Sequence, residues 1–299
     1  MKLLFAFVGG LALLFMMPER LFAFGPATHI FLGEHLLSSL YLLPAGIADL
    51  LRAYPLSFLY GSVAADISFA KKYVPAGRHS HYWHVGEEIL GAARNDRLRA
   101  AGYGYLCHLA ADTIAHNFYV PRQLMLTSST KALGHSYWEH RLDIELGEGY
   151  TSRAREVVVE YDHGEADNLF DSVLSGTIFS FETNRRIFRG MVRFQDNERW
   201  QNVFGRVLER SRWDLLVGDV EDYASRAFDS MVDYLLRRAS HAAARDPIGD
   251  FALHLSKKVR RMALRDGTAE DYGRMRSMAD DFFPLPQDPV DFWSRRSAA

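Results

Sequence analysis

The sequence predicts an all-α protein, and three observations carry that prediction. Apolar residues recur at i, i+3 and i+4 through most of the 299-residue chain. Pro44 and Pro55 fall where a helix tolerates proline, in its first turn. Only one short run, REVVVEY at 155–161, reads as a candidate strand, and helix formers flank it.

In chain order, residues 28–40, 44–53 and 56–65 follow the helical period. A loop containing VPAGRHS occupies 71–81. The period returns over 83–93 and runs from 96 or 98 to about 118. It continues over 120–125 and 133–146 until Gly147-Glu148-Gly149 breaks it. Farther on, 167–179, 227–239 and 251–264 are amphipathic. FFPLPQDPVDFW, at 282–293, reads as an extended tail packed by its aromatics. There is no internal repeat and no low-complexity linker. The pattern predicts three parts, 1–23, 24–149 and a helical extension at 150–299.

Composition bounds the function. With 48% hydrophobic residues and 24% charged, the chain can bury a sizeable core. A net charge of −2, with acid and base well mixed, does not point to a nucleic-acid surface, and no stable nucleic-acid partner is expected. Cys107 is the sole cysteine, so an internal disulfide and a thiolate zinc cluster are both excluded. It neighbours His108 and points off that residue's face, into packing.

The first residues read as a leader. Lys2 precedes LLFAFVGGLALLFMM, an apolar run of about fifteen residues. A membrane span needs about twenty. Pro18-Glu19-Arg20 breaks the run, and Leu21-Phe22-Ala23 can end at a signal peptidase site. Cleavage there leaves Phe24 first and places the chain outside the cytoplasm, periplasmic or secreted. A retained leader would anchor it to the membrane instead.

The densest chemistry lies in GYLCHLAADTIAHNF. His108, Asp112 and His116 share one helical face. His108 and His116 are about 12 Å apart along the axis, whereas zinc–nitrogen bonds are about 2.0–2.1 Å. One ion cannot take both, so the spacing calls for at least two, with Asp112 able to bridge them. His135 and Glu139 repeat the i, i+4 device in GHSYWEH. The intervening residues are Leu, Ala, Thr and Ile, so the helix is buried, and buried charge needs a partner or a metal. This reads as a multinuclear metal centre suited to hydrolysis.

Other candidates are weaker by themselves. Asp66 is equally a helix cap or a ligand. Asp143 reads as an acceptor behind the ligands. Arg141 reads as paired with surface acids and Arg122 as solvated, with phosphate contact its alternative. His35 reads as surface, His140 as facing away, and His163, His241 and His254 as structural or exposed. Tyr82, Trp83, Phe118, Tyr119, Tyr137 and Trp138 read as core, with one or two free to wall a substrate site.

Over roughly 24–146 these residues resemble the zinc-dependent phospholipase C family, which is similar in fold and site to secreted three-zinc single-strand nucleases. The H-x3-D-x3-H form resembles more tightly the catalytic domain of glycosylphosphatidylinositol-specific phospholipase D. Classical members carry two more residues between the Asp and the next His. The resemblance implies a phospholipase C/nuclease-like bundle holding two or three zincs. One zinc would take Asp66, His81, His108 and Asp112, with His79 and His84 as alternatives to His81. A second would take His116, His135 and Glu139. A third would take His29, Asp112 and the amino terminus of Phe24, the position of the family's N-terminal aromatic. It implies phosphodiester hydrolysis, with a phospholipid as first substrate, peripheral membrane contact, and Asp66 as ligand or general base. The alternatives are a nuclease of the same fold, whose usual disulfides cannot form here, and a non-catalytic zinc-stabilised envelope binding protein.

Overall fold

The computed structural model describes residues 24–69, 73–127, 131–174, 176–211, 213, 215–238, 240–287 and 291–298. The leader assigned to 1–23 lies outside the described residues. Among them there is no strand, and the architecture is an all-α bundle. No helix among them is long and apolar enough to cross a membrane.

The first half supplies α1 (Pro26–Leu37), α2 (Ala45–Ala53), α3 (Pro55–Ala64), α4 (Trp83–Ala92) and α5 (Asp96–Ile114). A π-helical turn, Ala115–Tyr119, carries α5 directly into α6 (Val120–Thr127). Next come α7 (Lys131–Glu145) and α8 (Glu148–Arg155). Gly147, at φ 103°, turns the chain between these two. The second half adds α9 (Gly164–Val173), α10 (Phe181–Gln195), α11 (Glu198–Glu209), α12 (Val217–Arg237), α13 (Asp250–Arg265) and α14 (Tyr272–Phe282).

The central element is α5. Asn95 caps it by accepting from the Leu98 amide at 2.9 Å. From Ala100 to Ile114 every residue is buried. A helix buried all round needs small residues where neighbours cross it, and α3 crosses at two glycines. A Cβ on Gly61 would stand 2.0 Å from the Ala101 carbonyl oxygen, and one on Gly104 would stand 2.0 Å from that of Phe58. No side chain larger than hydrogen fits either position, so α3 and α5 pack backbone to backbone. The other flank of α5 is covered by α12, whose Ala224, Ala227, Phe228, Met231 and Val232 join Tyr105, Leu109 and Ile114 in one buried cluster.

Several sequence expectations are corrected. Residues 155–160 are helical, not a strand: α8 runs into a second π turn, Glu156–Glu160, which buries Val157 and Val158 and ends at extended Tyr161. A strand there would have no strand to pair with among the described residues. The helix expected over 167–179 is Gly164–Val173, started by Asp162 accepting from the Gly164 amide at 2.9 Å. Ile178 is 60% exposed, so the apolar end of that stretch is not a buried face. Helices α10, α11 and α14 are additional to the sequence expectation; each is opened by a side-chain cap, from Ser180, Asn197 and Asp271 respectively.

Candidate metal centre

Separate segments bring the carboxylates and histidines together. His29 comes from α1, and Asp66 from the short turn Ala65–Ile67 that ends α3. His81 comes from the loop before α4, while His108 and Asp112 come from α5. All five are buried, at 2% exposure or less.

Asp112 is the centre of the cluster. Its Oδ2 lies 3.0 Å from His81 Nε2 and 3.3 Å from His108 Nε2. Those two nitrogens are themselves 3.1 Å apart. His29 Nε2 stands 3.4 Å from Asp112 Oδ1, and its ring stacks on His108 at 3.9 Å. Asp66 directs Oδ1 to His81 at 3.4 Å and Oδ2 to His108 at 4.0 Å. The ligand atoms of His81, His108 and Asp112 lie within 4.8 Å of one another, as do those of His29, Asp66 and His108.

Tautomers decide what these contacts mean. His108 Nδ1 donates to the Ser62 carbonyl at 2.9 Å. Ser80 Oγ donates to the Ala65 carbonyl at 3.0 Å, leaving it to accept from His81 Nδ1 at 3.1 Å. In both neutral rings the proton is on Nδ1, so both Nε2 atoms present lone pairs. Two lone pairs and a carboxylate oxygen then face one another at 3.0–3.3 Å. Neither Asp112 oxygen, nor His29 Nε2, makes a hydrogen bond of good geometry among the described residues. A proton relieves one such contact; a cation at the middle relieves all three. Tetrahedral zinc with bonds of about 2.0 Å has ligand–ligand edges of roughly 3.3 Å. The residues therefore fit a bound zinc.

Electrostatics agree. Burial lowers the pKa of His29 and holds that of His116 down to about 3, keeping both imidazoles neutral, the form a metal needs. At His108 burial also opposes charge, but the Asp112 and Asp66 carboxylates outweigh it and the pKa rises. Burial would raise Asp112, yet the facing histidines, His108 foremost, hold it well below the usual carboxylate range.

A second group adjoins the first. His116, in the π turn, has Nδ1 3.8 Å from Asp112 Oδ2. Its ring centre is 5.5 Å from that of His135 and 6.2 Å from that of His81. His135 Nε2 is 2.9 Å from Glu139 Oε1 on α7. The structure thus brings together His29, Asp66, His81, His108 and Asp112, with His116, His135 and Glu139 beside them. His79 and His84 turn elsewhere: His79 Nδ1, in the loop, accepts from the His81 amide, and exposed His84, in the first turn of α4, donates to the Gly77 carbonyl. Phe24 is buried with its ring 6.1 Å from that of His29.

Arg122, Arg141 and His35 depart from the sequence expectation, whereas His140 and His163 keep theirs. Asp143 holds α1 by its first turn, accepting from the Thr28 amide at 2.9 Å and hydroxyl at 2.6 Å, and burial pushes its pKa up to about 7. Arg122 is not solvated: it is 6% exposed and donates to Asp280 on α14 at 2.7 Å. Arg141 is likewise buried, donating to the Trp213 carbonyl at 2.7 Å and to Glu145 at 3.3 Å. His35 is wedged between Phe31 and Trp293, and His163 stacks on Tyr60 at 3.7 Å. His140 accepts from Trp200 Nε1 at 3.0 Å, away from the ligands.

Sequence reasoning missed the backbone acceptors of Ser62 and Pro247. A carbonyl leaves no mark on residue identity. The one available signal was the Asp-Pro-x-Gly turn at 246–249.

A family model described as zinc dependent phospholipase C matches residues 28–181. No curated protein and no solved structure matches the chain.

Proposed function

The chain belongs to the zinc-dependent phospholipase C family, and from that premise we propose that it is an exported phosphodiesterase that hydrolyses phospholipids. The observation that carries this reading is the triangle of two histidine lone pairs and one carboxylate oxygen at 3.0–3.3 Å. Asp66, His81, His108 and Asp112 would hold one zinc. His116, His135 and Glu139 would hold another. His29 and Asp112, with the Phe24 amine where the leader is removed, would hold a third.

Bound zinc supplies a nucleophilic water at neutral pH and offsets charge gathering on the phosphoryl oxygens. The chain's own residues do the rest. Burial keeps the His29 and His116 imidazoles neutral and bulk water away, which strengthens electrostatic interactions at the site. Asp112, between the two groups, holds their spacing. Asp66 faces both His81 and His108, and we assign it the role of proton acceptor as well as ligand. Ser62 and Ser80 fix the ring orientations from behind.

The test is turnover of phosphatidylcholine, and of a chromogenic phosphodiester, before and after chelation. Chelation is expected to reduce both at least 100-fold, with zinc restoring them. No chelator-sensitive turnover on any phosphodiester would sink the proposal, and cleavage of single-stranded DNA alone would redirect it to a nuclease. Asp66→Asn is expected to keep the fold while losing turnover; loss with zinc retained supports the proton-acceptor role, and loss of zinc together with turnover reduces Asp66 to a ligand alone. N-terminal sequencing with metal analysis tests export and the third position together: Phe24 first with three zincs supports both.

A further inference from the structure

The turn at 245–249 lies outside the family-matched segment, yet four of its five residues meet the π turn that carries His116. Trp83 Nε1 donates to the Arg245 carbonyl at 2.9 Å, and the Arg245 guanidinium sits 5.4 Å over the Phe118 ring. Asn117 donates from one side-chain nitrogen to the Thr113 carbonyl at 2.9 Å and to that of Asp246 at 2.7 Å. The Pro247 carbonyl accepts from His116 Nδ1 at 2.6 Å. Gly249, at φ 64°, lies so close that a Cβ there would be 2.3 Å from the His116 carbonyl oxygen.

The turn is closed by its own hydrogen bonds. The Asp246 carbonyl accepts from the Gly249 amide at 3.1 Å, and its carboxylate accepts from the amides of Ile248 at 3.0 Å and Asp250 at 3.3 Å. It leads straight into α13. That helix and α14 share a second core with α6, built from Met125, Leu126, Ala252, Val259, Met275 and Phe283. Docking of α13 and α14 on α6 therefore sets where the Pro247 carbonyl stands.

We propose that this turn positions the second metal site: the Pro247 carbonyl fixes the His116 tautomer, so that the His116–His135–Glu139 position forms only when the C-terminal helices are docked. The inference rests on the reading of those three residues as a zinc position. A carbonyl can only accept, so a neutral His116 must carry its proton on Nδ1, which leaves the Nε2 lone pair for the metal. Without the turn either tautomer is open to the ring.

Two variants test this, neither of them a proposed ligand. Asn117→Ala removes the bond to Asp246, and Gly249→Ala forces a Cβ against His116. Zinc affinities are measured by competition with a chromophoric chelator, and the His116 tautomer by long-range 15N–1H spectra of the metal-free protein. In the wild type at least two zincs per chain and an Nδ1–H tautomer are expected. In either variant that folds, zinc at the second position should weaken about 10–100-fold, with a mixed tautomer and the first zinc unchanged. Unchanged affinities and tautomer overturn the positioning role, as does equal weakening of both zincs. A wild type that binds only one zinc removes the reading of His116, His135 and Glu139 as a zinc position, and the proposal with it.

Discussion

Both oxygens of Asp112 lie inside the protein, 3.0–3.4 Å from nitrogens of His29, His81 and His108. Removing its charge while keeping its shape, by Asp112→Asn, should lose at least one zinc per chain and bring turnover below about 1% of wild type, since a ligand shared between positions acts on both. Metal analysis alongside kinetics checks this. Acid should act on the same atoms. In the metal-free protein the neighbouring carboxylates raise His108 against the pull of burial. Its Nε2 therefore takes up a proton as pH falls, and proton and zinc compete for one lone pair. Zinc retention is expected to drop steeply below about pH 6, near the ordinary histidine range, which dialysis across a pH series measures. His140 titrates the other way. Burial lowers it to about 4, from 6.5 in the unfolded chain. Between those values only the unfolded chain gains the proton. Its contribution to stability is therefore full above pH 6.5 and falls away toward pH 4. His140→Gln should flatten the acid limb of urea midpoints against pH. At this scale the spacing of His108, Asp112, His116, His135 and Glu139 was legible, because helical period alone aligns them. The roles of Arg122, Arg141 and His35 were not, because their partners lie far away in sequence, at Asp280, Trp213 and Trp293.

Helices α3 and α5 meet where Gly61 and Gly104 let the two backbones touch. That contact also sets the Ser62 carbonyl 2.9 Å from His108 Nδ1, and the end of α3 delivers Asp66. Gly104→Ala is expected to cost about 1–3 kcal/mol by overpacking, read from the denaturant midpoint. It should also weaken zinc binding, because the ligands on α3 and α5 would separate. An alanine at Gly46, where nothing lies within 4 Å, is the control and should not affect zinc. Most helices before Gly147 were legible from apolar period and proline placement. The amphipathic α10, α11 and α14 went unread although capping residues opened them. The two π turns were also beyond reach, since an added residue in one turn changes no residue type. One of them carries His116, so the neighbours its ring meets follow from that wider turn.

Across the molecule, the core does not stop where the family match does. Residues of α12 pack directly on α5, and Phe292 and Trp293 from the tail join the same cluster. A fragment ending at residue 181 would expose that flank of α5 and lose the turn over His116. It is expected to aggregate or hold less than one zinc per chain, as sizing chromatography and metal analysis would show. The all-α class and the alignment of His108, Asp112 and His116 on one buried helical face were determined by the sequence alone, and that spacing is what calls for more than one ion in the proposed centre. Those properties follow from local period and from the reach of a bond. Which histidine of 79, 81 and 84 faces the carboxylates, what holds each ring, and how residues after 181 join the site were decided only by the tertiary structure. Those depend on approaches between segments far apart in the chain, often through backbone atoms that every residue shares.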